Sequence, residues 1–295
     1  MRLPAPSRYH FGVAGAQTHR ARALGEFAGI GPWSGRVFSA HAGALNLLRE
    51  DGLLVSVVAE EGSMTAMSIL AASVFEPSRP AGSDLQVLTG RPAELRGARL
   101  LVSGLAPIEL PRGRTWRGRL RRGVGEGVSA ENVLLAERAL ARGGKPGGLL
   151  GALFGGDPLN PYEGQALRAL SAGRPESLVG LGPGMTPAGD DFLAGALLAG
   201  SAGLVHEPSG SGIDARAIEA ALSGTTPAGR TLLWLALRGS FPSYLCSFVE
   251  SLAEAAREKE VGEAVRSACC RGETSGTDSL VGFFLAVRGR LGSIA

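Results

Sequence analysis

The stretch GLGPGMTPAGDDFLAGALLAG, Gly180 to Gly200, decides how the second half of the chain reads. Gly180, Gly182 and Gly184 lead through Thr186, Pro187 and Gly189 to the pair Asp190–Asp191, and an apolar, helix-compatible run follows at once. A glycine-rich loop feeding a helix start suits an anion, because backbone N–H groups converge there without Cβ obstruction. Two carboxylates at the same spot call instead for a cation, a proton or a polar donor. The coexistence of both demands marks this turn as the candidate working site.

The motif has an echo 87 positions later. GETSGTDSLVGFFLAV, Gly272 to Val287, places Gly276 on Gly189, Asp278 on Asp191, Leu280 on Leu193, Gly282 on Gly195 and Leu285 on Leu198. The shared pattern G-x-D-x-L-x-G-x-x-L-A describes one device used twice: a tight turn, an Asp at a helix start and a small residue one turn later. Two such helices can pack through Gly195 and Gly282 and bring both N-termini to one pocket. The plainer alternative is that Asp, Ser and Thr here are ordinary helix caps, each stabilising by about 0.5–2 kcal/mol.

Outward from this motif, the chain divides by periodicity. SAENVLLAERALARGG begins at a predicted N-cap, Ser129, and stops at Gly143–Gly144. YEGQALRALSAG, DARAIEAALSG, TTPAGRTLLWLALRGS, SYLCSFVESLAEAAREKE and VGEAVRSACCRG also read as helices. Before them, RVFSA, LLVSVVAE, MSILAASVF, LQVLTG and RLLVSG are short, turn-bounded apolar runs that predict strands. AHAGALNLLRED, Ala40 to Asp51, reads as a short helix, with Asn46 as a polar handle or a buried, satisfied amide. Segregated strands then helices predict an α+β protein. The expected organisation is a β-rich domain at 1–110, an arginine-rich connector at 111–126 and an all-α domain at 127–295.

Composition narrows the function classes. With 44% apolar and 19% charged residues, the 295-residue chain can bury a sizeable core. A net charge of +3 is too small to imply nucleic acid without a focused basic patch. The run PRGRTWRGRLRRG carries Arg112, Arg114, Arg117, Arg119, Arg121 and Arg122, and reads as a solvated connector or a partner-docking strip. Cys246, Cys269 and Cys270 lack metal spacing and suit reduced thiols in a cytoplasm. No apolar window is long enough to span a membrane. His10, His19, His41 and His206 share no ligand spacing, and no P-loop, GxSxG or HExxH pattern is present.

These residues define the expected site. Asp190, Asp191 and Asp278 are the candidate catalytic groups, shuttling a proton, binding an amide or amine, or holding Mg²⁺. Gly182, Gly184, Thr186, Gly189, Ser275 and Gly276 are the candidate substrate contacts. Thr225, in a second TPAG-like turn, joins them or merely opens its own helix. The expected ligand is a small anionic metabolite. Two readings stand: an enzyme or enzyme subunit, or a non-catalytic subunit or metabolite-binding protein whose Gly/Asp turns are structural. Self-association into a homo-oligomer is compatible with both.

GLGPGMTPAGDDFLAG resembles the GLTPSGDD-type signature of a bacterial family that includes the AllH-type subunit of oxamate carbamoyltransferase, from anaerobic allantoin breakdown. GETSGTDSLVG resembles that family's second, SSG-x-D-like signature. RVFSAHAGALNLL and TTPAGRTLLWLALRGSFP fall where its weaker blocks lie, so the resemblance runs from about Arg36 to Val287. It implies a cytoplasmic protein tied to carbamoyl transfer, with oxalurate and phosphate giving oxamate and carbamoyl phosphate alongside two other subunit types. Gly182, Gly184, Thr186, Pro187, Gly189, Asp190 and Asp191 match the first signature; Ser275, Gly276 and Asp278 match the second. Ala188 stands where relatives often carry Ser, and Glu273 where many carry His.

Overall fold

The computed structural model describes residues 18–76, 85–113, 115–155, 157–205 and 213–289. It is α+β, with two compact units, Met1–Arg117 and Gly118–Ala295. The division falls inside the arginine-rich run. Thr115–Trp116 forms the last strand of the first unit, while Arg121 pairs with Glu254 in the second at 3.4 Å. Arg114, His10 and His206 lie outside the described residues.

The first unit is one ten-stranded sheet: β1 His19–Arg20, β2 Ala23–Gly25, β3 Trp33–His41, β4 Ala44–Arg49, β5 Leu54–Val58, β6 Ser68–Leu70, β7 Pro92–Arg96, β8 Arg99–Val102, β9 Ile108–Glu109 and β10 Thr115–Trp116. Its order is β1-β9-β8-β7-β3-β4-β5-β6-β2-β10. β1 and β2 are one bent segment. Ala21 N–H donates to Glu109 and Arg22 N–H to Leu70, so the segment pairs with both ends of the order and closes the sheet on itself. Closure leaves few open edges. β5 shows why these residues choose strand: Leu54, Val55, Val57 and Val58 are all buried, and β-branched side chains fit a pleated surface.

Two local expectations fail here. Ala40–Asp51 is a hairpin, β3 turning into β4 at Ala42–Gly43, and no helix. Pairing with β3 on one side and β5 on the other overrides the helix-compatible spacing. Asn46 is a satisfied amide: it donates to Ser39 Oγ at 2.9 Å and accepts from Ser56 Oγ at 2.7 Å. LQVLTG forms a 3₁₀ turn, Leu85–Leu88, in place of a strand.

The second unit is helical: α1 Ala130–Gly143, α2 Pro161–Ser171, α3 Ala188–Ser201, α4 Ala215–Ala221, α5 Pro227–Ala236, α6 Ser243–Glu254, α7 Glu258–Cys269 and α8 Ser275–Val287. The expected long helix from Ser243 breaks at Ala255–Arg257, and Glu258–Glu260 belong to α7. Side-chain caps begin α1 (Ser129), α2 (Asn160), α4 (Asp214) and α5 (Thr226). Among the described residues, no helix is long and apolar enough to cross a membrane.

α3 and α8 form the centre. They are apolar on nearly every face, the mark of a helix buried all round. The pair touches backbone to backbone. A Cβ on Gly195 would stand 1.7 Å from the Ser279 carbonyl oxygen, and one on Gly282 would stand 1.9 Å from that of Phe192. The contacts are reciprocal, because Ser279 is the counterpart of Phe192 at the same 87-residue spacing. Phe248, Phe283 and Phe284 pack edge-to-face beside this contact, with Phe248 and Phe283 centroids 5.3 Å apart.

Overpacking costs about 1–3 kcal/mol or more, so Gly282→Ala should lower Tm by roughly 5 °C or more. Gly200→Ala, where an added Cβ meets nothing within 4 Å, should hold or raise Tm, since Ala favours helix by up to about 1 kcal/mol. Thermal melts of the two variants side by side check this.

Candidate functional site

α3 and α8 start without side-chain caps. Pro187 and Thr274 occupy the cap positions and neither side chain accepts a helix N–H. Asp190, Asp191 and Asp278 lie one turn further in, so the ordinary-cap reading does not describe them. All three are buried. The helix starts meet directly: Thr186 Oγ1 and Ser275 Oγ are 3.0 Å apart. The N-terminal ends of helices carry partial positive charge, so two of them side by side attract negative charge.

Asp190 and Asp278 hold loops. Asp190 accepts from Gly180 N–H at 2.8 Å and from the Thr225 hydroxyl, and Gly229 leaves room for its carboxylate, since a Cβ there would lie 1.9 Å from Oδ2. Asp278 Oδ1 accepts from Leu149 N–H at 2.7 Å. A Cβ on Gly148 would fall 2.2 Å from the same oxygen. Burial pushes both carboxyls up to about 6, against the pull of these donors toward the charged form.

Asp191 differs from both. It is 2% exposed and its Oδ2 has no hydrogen-bond partner. Burial raises its pKa well above the usual carboxylate range, and the charges of Asp278 and Asp190 push the same way. The Ser275 and Thr186 hydroxyls beside it oppose the rise. Asp191 and Asp278 are thus within electrostatic reach, as two adjoining helix starts require.

Around this centre, Gly182 and Gly184 adopt φ of +106° and +99° in the half-exposed loop before α3. A Cβ on Gly182 would come within 3.1 Å of Ala188 N, so the glycine keeps that helix-start donor accessible. Among the described residues, no protein acceptor takes the N–H of Ala188 or Ser275. The N–H groups of Gly189 and Gly276 are committed, to the carbonyls of Leu181 and Arg271. Both glycines pack against backbone, with added Cβ atoms 2.0 Å from Leu178 O and 1.9 Å from Ala268 O. Thr226 Oγ1 donates to Met185 O and ties α5 to the same loop.

Several residues were not anticipated from sequence. Tyr244 on α6 brings its hydroxyl within 3.5 Å of Ser279 Oγ and close enough to Asp191 for that charge to raise its pKa, after burial. The run GGKPGG, Gly143 to Gly148, reads as a helix stop yet forms a second loop at the α8 start. There Lys145 N–H donates to Thr277 Oγ1 at 3.0 Å and Lys145 Nζ to Gly272 O at 2.8 Å. Glu163 is buried and accepts from Gly151 and Leu159 N–H groups. The repeated glycines of the GGKPGG run were the available signal.

Mg²⁺ does not suit this arrangement. Both oxygens of Asp190 and one of Asp278 face protein donors, and no group of three or more His, Cys, Asp or Glu side chains among the described residues stands where it could hold a metal ion. The three cysteines are free thiols, with Cys246 and Cys269 buried and Cys270 exposed.

Residues 178–287 match the family model described as oxamate carbamoyltransferase subunit AllH. Over this segment the chain is similar to the AllH-type family. The AllH-type segment contains α3, α5, α8, both Gly/Asp motifs and the joined helix starts. No solved structure matches the chain.

The raised carboxyl of Asp190 sets a pH dependence. Its folded state holds a proton more tightly than the unfolded chain does, so stability falls as pH rises from about 4 to about 6 and the buried group ionises. The isosteric Asp190→Asn cannot ionise and should flatten that fall. Urea denaturation across this range checks it; an unchanged slope would contradict the assignment.

Proposed function

We propose that this chain is a subunit of a cytoplasmic carbamoyl-transferring enzyme and that the joined starts of α3 and α8 seat a small anionic metabolite. The observation that carries the reading is the Thr186–Ser275 contact, which unites two uncapped helix N-termini inside the AllH-type segment. Asp191 is the group facing the ligand. The loop holding Gly182 and Gly184 supplies the outer wall, and Asp190, Thr225 and Asp278 hold the walls in place. Oxamate, oxalurate, phosphate and carbamoyl phosphate all carry the negative charge this end of the bundle favours.

Chemically, such a seat fixes one reactant and stabilises charge that builds during acyl transfer, by donors already in place before reaction. The other subunit types of such an enzyme are the natural partners. A subunit whose Gly/Asp turns only organise helices is the competing reading, and the anchoring roles of Asp190 and Asp278 favour it for those two residues alone.

Removing a hydrogen bond to a charged group costs about 1.5–3 kcal/mol, so Ser275→Ala with Thr186→Val should weaken oxamate or carbamoyl phosphate binding by roughly tenfold or more. Tm should change little, because both side chains lie at the loop edge of the bundle. Calorimetric titration and carbamoyl transfer by the reconstituted complex are the measurements. Wild-type affinity and turnover in the double variant would refute the seat.

A further inference from the structure

The two copies of the motif are alike in packing and unlike in what fills their carboxylates. In the α8 copy, the N–H of Leu149 occupies Asp278 at 2.7 Å. In the α3 copy, no backbone N–H outside the helix reaches Asp191 among the described residues; Oδ2 is buried and unpartnered in both Asp191 and Asp278, so the difference lies in the missing N–H donor. The neighbours that act on Asp191 are two hydroxyls, Ser275 and Thr186, and two carboxylates, Asp278 and Asp190. An ionised carboxylate with two others beside it is costly to bury. The same group carrying its proton is a hydrogen-bond donor that wants an acceptor.

We propose that Asp191 works as a neutral carboxylic acid, and that its O–H joins the hydroxyls of Thr186, Ser275 and Tyr244 and the N–H groups of the two helix starts in a pocket that accepts an oxyanion. The groups facing Asp191 are Asp190 on its own helix, Asp278 on α8 and Tyr244 on α6; Arg271, just before α8, acts on Tyr244. Tyr244 is held in its O–H form chiefly by burial. Asp191, Thr186, Ser275 and Tyr244 then all offer O–H donors, which eases the conflict between a carboxylate at Asp191 and an anion seat. The ligand class is an oxyanion, carboxylate or phosphate, or the oxygen that gains charge during transfer to a carbonyl carbon.

The ligand half of this assignment rests on the anion-seat reading above; the protonation half does not. Carbon-13 NMR of Asp carboxyls, wild type against Asp191→Asn, should show a neutral Asp191 at pH 7. An ionised Asp191 at pH 7 overturns the proposal while leaving the seat intact. Inorganic phosphate is the binding probe. Asp191→Asn, which keeps a donor, should stay within about threefold of wild type, and Asp191→Ala should bind roughly tenfold or more weakly. Wild-type affinity should fall as pH rises through the titration of Asp191, because the donor is lost and a repelling charge appears. A tenfold gain of affinity in Asp191→Asn at pH 7 marks an ionised group and overturns the proposal. A neutral Asp191 with phosphate affinity equal in all three proteins overturns the pocket, and the anion seat falls with it.

Discussion

Everything in the helical unit follows from the backbone contact between α3 and α8. Gly195 and Gly282 let two helices approach until one main chain rests on the other. At that separation no side chain fits between them, and the pair becomes the innermost layer against which α5, α6 and α7 pack. The contact is reciprocal about an 87-residue repeat, so the helix starts arrive together on one side. Two positive helix ends brought side by side repel each other. The arrangement therefore needs negative charge near them, from the protein or from a ligand.

The protein supplies part of it. Asp190 and Asp278, with carboxyls near 6, are charged at neutral pH, one on each helix. Each also accepts a backbone N–H from a glycine-rich loop, Gly180 in one case and Leu149 of the GGKPGGLLG run in the other. The same carboxylates thus balance the helix ends and fasten the loops that wall the site. Asp191 has neither an N–H donor nor a loop to hold among the described residues, which separates it from the other two.

Much of this was legible in the sequence. The α+β class, most helix limits and the pairing of Gly195 with Gly282 were readable because punctuation by Gly, Pro and cap residues is local, and because the repeat states the same packing twice. The Ala40–Asp51 hairpin was not readable, since spacing that suits a helix also suits a strand whose faces are set by pairing with β3 on one side and β5 on the other. The role of each aspartate was hidden for a related reason. Whether a carboxylate caps, anchors or faces a ligand depends on which loop donates to it. Leu149 and Asp278 are 129 residues apart. Tyr244 reads as one more position on an amphipathic helix until α6 is laid against Ser279.

The departures from the family pattern sharpen once the repeat is laid on the structure. Ala188 and Ser275 are counterparts, as are Thr186 and Glu273, at the same 87-residue spacing. Each pair holds one hydroxyl, and those two, Thr186 and Ser275, are the ones that meet at 3.0 Å. A hydroxyl at Ala188 would duplicate what Ser275 already brings to the same junction. Glu273 is exposed and stands clear of the buried centre, where a further carboxylate would add repulsion to three already present. Backbone packing accounts for the glycine in each copy, since an added Cβ on Gly195 or Gly282 would meet main chain. Packing does not require the polar atoms to be symmetric, and their asymmetry leaves Asp191 with hydroxyl neighbours only, Ser275 and Thr186, at the point where both helices begin.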